Sequence, residues 1–255
     1  MDHLSRVKEE FKRQAETLSV APVFTDSSVL EQIHAAIKPT MEVSLLDLGC
    51  GPGIVTAAMA PHVREVVAYD LTPEMLDQAK KRCQEAGLKN VQFEVGSAEH
   101  LPFEKETFDC VVTRLTIHHF LDPRRVMNEV VRVIREGGRV VIADVVSSED
   151  DKEAMLHNAL ETLRDPTHVR MLSPGEMLEM IRSAGLRITS TSTWKMKRSY
   201  KEWIRITNAP ERVEPLYVVM VALAKAGLHA GIDLYFDGET LGFNHQWLLV
   251  TGEKK

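Results

Sequence analysis

Leu45-Leu46-Asp47-Leu48-Gly49-Cys50-Gly51-Pro52-Gly53 is the stretch from which the rest of the chain can be read. An apolar run of strand length ends in an acid, glycine then stands at every second position, and Ile54, Val55, Ala57, Ala58 and Met59 open a segment of helical composition. The pattern is strand, tight loop, helix. Glycines let a backbone come close to a ligand, and the first turn of a helix offers unpaired NH groups and a positive dipole end to a phosphate or carboxylate. Seventeen positions past Gly53, a second apolar run, Val66-Val67-Ala68-Tyr69, ends in Asp70. An acid there can accept both hydroxyls of an adenosine ribose, so the two features together specify an adenosine site better than either does alone.

Outward from this junction, helices and strands alternate. On the N-terminal side Leu4, Val7, Phe11, Ala15 and Leu18 recur at helical spacing among charged residues, and a second helix runs from the cap Asp26 through Val29, Leu30, Ile33 and Ile37 to Pro39. After Asp70, Thr72-Pro73-Glu74 reads as a helix start with the Thr72 hydroxyl as cap, and Gly87 ends that helix. Val91 to Val95 is a strand, followed by the loop Gly96-Ser97-Ala98-Glu99 at the same edge as the glycines. Phe108 to Thr113 is the fourth strand, Asp122-Pro123 caps a helix, Gly137-Gly138 turns the chain, and Val140 to Asp144 is a fifth buried strand. A helical stretch near residues 149–163 leads to the capping box Ser173-Pro174-Gly175-Glu176. Strands at Leu186 to Trp194 and Gln246 to Val250 flank about fifty residues of mainly helical character. The expected fold is α/β: a doubly wound, mostly parallel seven-stranded sheet with N-terminal helices and a helical insertion before the last strand.

With 255 residues and a formal charge of -6, the chain suits a single globular domain and offers no electrostatic footprint for nucleic acid or an anionic membrane. Cys50, Cys83 and Cys110 have spacings that suit neither a zinc site nor a disulfide framework, so a reducing compartment and no metal centre are expected. The charged N-terminus is unlike a signal peptide, and the longest apolar run, Leu216 to Ala224, is too short to span a bilayer. A cytoplasmic protein without stable membrane insertion is the expectation. The apolar stretch Pro215 to Ala226 reads as core packing or as a homodimer face, and the two stay open.

Taken together, these residues resemble the class I S-adenosylmethionine-dependent methyltransferases, and more closely the branch with the ubiquinone and menaquinone C-methyltransferases. The resemblance runs from about Phe11 to Val146. It rests on Leu46 to Gly53, on Asp70, on Ala98-Glu99-His100-Leu101-Pro102-Phe103, on His118-His119-Phe120, and on Glu129 to Ile134 followed by Gly137-Gly138. It implies a Rossmann-like fold, S-adenosylmethionine as cofactor and a small-molecule substrate. Residues 1–40 would then form a helical cap, 41–148 the cofactor-binding core, and 149–255 the substrate-side helices and last two strands.

Residue by residue, the resemblance implies that Gly49, Gly51 and Gly53 let the backbone pass under the methionine part of the cofactor. Asp47 orients its ammonium or caps the glycine loop; Asp70, followed by Leu71, holds the ribose. Where the family usually carries an adenine-binding Asp this chain has Ser97, whose hydroxyl is a weaker acceptor, next to Ala98 and Glu99. Thr113 and Arg114 end the fourth strand, where the family sets a backbone carbonyl against the ammonium. Phe11, Gln14 and Phe24 resemble the family's lid over the cofactor.

Methyl transfer from a sulfonium is an in-line displacement with a built-in leaving group, so the protein must chiefly orient the nucleophile and exclude water. An oxygen or ring-carbon acceptor must also lose a proton, and a histidine near pKa 6.5 suits that task. His118 and His119 are the leading candidates, with Asp144 at the end of the fifth strand as base or helix cap. Arg164, His168 and Arg170 lie in a charged loop, where a carboxylate clamp by the two arginines competes with a solvated salt-bridged loop. Two rivals stand beside this reading. An NAD-dependent oxidoreductase shares the glycines and the acid, but here Val55 stands in place of a final glycine and no Tyr-x-x-x-Lys pair occurs. A non-catalytic S-adenosylmethionine-binding protein would have no use for the histidine pair or the long insertion.

Overall fold

The computed structural model describes residues 2–255. Strands β1 (Ser44–Leu48), β2 (Glu65–Asp70), β3 (Val91–Val95), β4 (Phe108–Arg114), β5 (Ile134–Val146), β6 (Arg187–Ser199), β7 (Tyr235–Asp237) and β8 (Thr240–Glu253) form one sheet. Its order is β3-β2-β1-β4-β5-β8-β6, and the short β7 pairs with the start of β8. All neighbours from β3 to β5 are parallel, while β8 runs antiparallel to β5 and β6. The direction of winding reverses between β1 and β4. A crevice therefore opens at the carboxyl ends of those two strands, where such sheets place ligands.

Period-two alternation sorts the strand side chains between two helical layers. Leu45, Cys110, Val112, Val141 and Ala143 point to the face covered by α1 (His3–Val20), α2 (Pro22–Thr25), α3 (Ser27–Ile37) and α4 (Ile54–Met59). Met75 of α5 (Pro73–Glu85) joins that layer. Leu46, Leu48, Val111, Val140 and Ile142 point the other way, against Val126, Met127 and Val130 of α6 (Pro123–Val133). The C-terminal segments add a third cluster. α7 (Asp151–Arg164) precedes α8 (Pro174–Ser183), and α9 (Tyr200–Arg205) and α10 (Pro210–Lys225) follow β6. Leu160, Trp203, Leu216, Met220 and Phe243 pack together from α7, α9, α10 and β8, and Trp203 of this cluster lines the crevice.

Several local expectations need correction. Gly137-Gly138 lies within a bulge of β5 rather than a connecting turn: the register with β4 jumps from Ile134 to Arg139, and the extra backbone pairs with Lys254. The Thr72 hydroxyl does not cap α5 and has no partner; the Thr72 carbonyl accepts from the Met75 and Leu76 NH groups, and the Thr72 NH donates to Asp70. β6 and β8 both extend well beyond the apolar cores seen in sequence, because each supplies the other's ladder from Arg187 to Ser199. In α10, Leu216 and Met220 are core, while Val218 and Val219 stay exposed. The three cysteines are buried and free, and no helix among the described residues is long and apolar enough to cross a membrane.

Candidate active site

The glycine loop is tied to the end of β2 by its own backbone. Gly49 and Cys50 NH groups donate to the Tyr69 carbonyl at 2.8 and 3.1 Å, and Gly51 NH donates to Asp70 Oδ2 at 2.8 Å. Asp70 Oδ1 accepts from Thr72 NH at 2.9 Å, so one carboxylate joins the glycine loop to the start of α5. Burial raises the Asp70 pKa, with these NH bonds working against it. Each oxygen retains acceptor capacity, and the residue lines the crevice with Leu71, Ser97, Ala98 and Glu99. The Ser97 hydroxyl also accepts from the Glu99 NH at 3.3 Å, which closes the loop on itself.

Asp47 is almost fully buried, and Thr56 Oγ1 donates to its Oδ2 at 2.5 Å. Burial pushes its pKa up to about 6, with the Thr56 hydrogen bonds and the Arg114 charge working against it. It lines the crevice beside Gly49 and Gly51, where a Cβ on Gly51 would meet no protein atom within 4 Å. A buried acid at the crevice wall, an open glycine and an acid with free acceptor capacity fit an adenosyl group that carries an amino acid.

Other residues expected here have different roles. Gly53 does not line the crevice; with φ at +73° it brings α4 against α5, where a Cβ would sit 2.6 Å from that of Ala79. Thr113 is buried with its hydroxyl unpartnered, away from the crevice lining. Arg114 lines it, but its guanidinium donates to the carbonyls of Phe24 at 2.8 Å and Val23 at 2.7 Å. It therefore anchors α2 over the end of β4, and burial lowers its pKa to about 10.

At the other end of the crevice, a single turn of 3-10 helix, Ile117–His119, carries the histidine pair. Asp144 Oδ2 caps that turn by accepting from Thr116 and Ile117 NH at 3.1 and 2.9 Å, and its Oδ1 lies 2.8 Å from His118 Nδ1. Asp144 does not line the crevice and is joined to it through His118, which does. Burial pulls the His118 pKa down, but the Asp144 charge and hydrogen bond prevail and leave it above the ordinary histidine value. His119 has no such partner: burial and the neighbouring His118 charge hold it at about 4. His168 hydrogen-bonds Asn158 Oδ1 at 2.7 Å, is held at about 3 chiefly by burial, and does not line the crevice. Arg170 is exposed and pairs with Glu176, so the two-arginine clamp does not form.

Arg164, expected from its charged loop, is joined at this end by four residues that no motif advertised. Glu161, Arg164, Arg198, Trp203 and His245 line it, with the Arg164 guanidinium 4.9 Å from the Trp203 ring centre. Glu161 is four positions after His157 on α7, a spacing that places both on one helical face. Over the top, α1 contributes Phe11 and Gln14, whose amide donates to Asp165 at 3.1 Å, and α2 contributes Phe24.

Comparison with known proteins places the chain in a family. Residues 46–142 match the model of a family described as "Methyltransferase domain". The methyltransferase YcgJ of Bacillus subtilis (strain 168), itself uncharacterized, is 32% identical over 247 residues, spanning 96% of this chain and 98% of that protein. The crystal structure of the YcgJ protein superposes with a TM-score of 0.84 over 90% of this chain and 99% of that one, at 30% identity. A demethylmenaquinone methyltransferase of Clavibacter sepedonicus is 35% identical over 109 residues, 43% of this chain and 44% of that protein. A geranyl diphosphate methyltransferase in complex with SAM shares the fold, with a TM-score of 0.64 at 18% identity over 90% of this chain and 86% of that one. The match to YcgJ extends over nearly the whole chain, and the chain belongs to the class I S-adenosylmethionine-dependent methyltransferase family.

Proposed function

We propose that this enzyme methylates a small, largely apolar molecule at a hydroxyl oxygen or ring carbon whose proton is taken by His118. The observation that carries the reading is the 2.8 Å contact between His118 Nδ1 and Asp144 Oδ1. With Nδ1–H donated to a buried carboxylate, Nε2 is the proton acceptor and the imidazolium that forms is stabilised in place. His119 and His168, both held neutral, leave His118 as the one basic member of the cluster.

S-adenosylmethionine, when bound, supplies a methyl group on a sulfonium that is its own leaving group. The chain's own part is to bind, orient and exclude water. Asp70, Gly51 and Asp47 would hold the cofactor, with Leu71, Ser97, Ala98 and Glu99 around its nucleoside. Val7, Phe11, Phe24, Val145, Met171 and Ile206 give the crevice an apolar lining suited to an aromatic or quinone-like acceptor. Arg164, stacked on Trp203, would orient a polar end of that acceptor. The relative named for demethylmenaquinone supports the same class, and the net charge of -6 favours a small molecule over nucleic acid.

The test is a screen with methyl-labelled S-adenosylmethionine against phenols, hydroquinones, aliphatic amines and thiols. Label should enter a phenol or hydroquinone and be lost in His118→Asn. Label entering only amines or thiols, or transfer indifferent to His118→Asn, contradicts the reading.

A further inference from the structure

We propose that His157, Glu161 and His245 form a binding site for a zinc-class divalent cation at the acceptor end of the crevice. α7 supplies the first two from one face, and β8 brings His245 against them. Their candidate ligand atoms all lie within 4.8 Å of one another, with Glu161 Oε1 3.2 Å from His245 Nε2 and 3.8 Å from His157 Nε2.

The site is built. All three side chains are buried; His157 Nδ1 and Nε2 have no hydrogen-bond partner, and Glu161 Oε1 and His245 Nε2 have only each other within reach. A buried polar atom without a good partner is costly in a folded protein, and one cation would satisfy His157 Nε2, Glu161 Oε1 and His245 Nε2 together. Arg164 Nη1 donates to Glu161 Oε2 at 3.1 Å, which leaves Oε1 turned toward the imidazoles as a monodentate ligand. Such outer contacts orient metal carboxylates generally.

Two imidazoles and one carboxylate form the borderline donor set that suits zinc better than magnesium, and three protein ligands leave a coordination position open. Glu161 and His245 line the crevice while His157 lies behind them, so the open position faces the acceptor. A hydroxyl or carbonyl oxygen of the acceptor is the ligand that fits it. Coordination through His245 Nε2 puts the ring proton on Nδ1, so Arg198 must give up its long 3.4 Å contact there; its two bonds to Glu202, at 2.8 and 2.9 Å, remain.

The test uses the whole protein, stripped with a chelator and titrated with Co2+ while visible absorption is recorded. One equivalent should give the intense bands of a low-coordinate cobalt site, displaced by Zn2+. His157→Ala and His245→Ala should each lose them, whereas His34→Ala, in the separate His34–His62 pair, should keep them. Absence of bands in the wild type, or bands that survive both ligand substitutions or disappear in His34→Ala, overturns the site. Should the buried substitutions unfold the protein, X-ray absorption of zinc-loaded His34→Ala protein decides. Two imidazole nitrogens at about 2.0–2.1 Å support the site, and a shell without them refutes it.

Discussion

The imidazole of His118 and the carboxylate of Asp144 are joined at 2.8 Å, and the same carboxylate caps the 3-10 turn that carries His118. Because the Asp144 charge prevails over burial, the acid limb of kcat/KM should lie above the ordinary histidine value, with activity rising as His118 loses its proton. Asp144→Asn removes the charge that retains that proton. The limb should then move to lower pH while the plateau falls about 10²–10⁴-fold from lost orientation and basicity. Plateau and limb are both read from one pH–rate profile, and an unmoved limb in Asp144→Asn would assign it to another group.

Asp47 sets stability against binding. Its pKa is about 6 in the fold and 3.8 for the ordinary carboxyl, so the fold favours its neutral form. Stability is therefore lost as pH rises from 3.8 through about 6, by up to about 3 kcal/mol above that window. Asp47→Asn should raise the Tm of the ligand-free protein more at pH ~8 than at pH ~4, and at the same time weaken S-adenosylmethionine binding. Thermal melts across pH, paired with a binding titration, check both signs.

Two glycines of one motif should separate cleanly. Gly53→Ala drives a Cβ to within 2.8 Å of the Ala79 backbone at a φ of +73°, so it should cost about 2–5 kcal/mol from overpacking and strain. Gly51→Ala meets open space at a φ of +52° and should cost only about 1–2 kcal/mol, but its methyl enters the cofactor crevice. Melting temperature and S-adenosylmethionine affinity of the folded protein should therefore rank the two variants in opposite orders.

Features set by local pattern could be read before the structure. Leu45 and Leu46 alternate between two helical layers, and Gly51 and Asp70 sit where a strand-to-loop reading puts them. What the pattern missed depends on distant partners. Gly137-Gly138 is a bulge because Lys254 pairs with it, and Arg114 faces α2 because the carbonyls of Val23 and Phe24 lie within reach. Arg170 turns out to solvent because Glu176 binds it there. His157 and Glu161 carry a helical spacing that is visible in sequence, but His245 joins them only through the β6–β8 ladder. No local rule connects residues separated in that way.

The most direct measurement is calorimetric titration of the wild type and Asp70→Ala with S-adenosylmethionine, S-adenosylhomocysteine and NAD in parallel. Asp70 is the single carboxylate spanning the glycine loop and the start of α5. The account predicts binding of both sulfur nucleotides, none of NAD, and a loss of at least about tenfold in the variant from one charge-assisted hydrogen bond or more. Binding of NAD alone, or equal affinity for S-adenosylmethionine in Asp70→Ala, would contradict it.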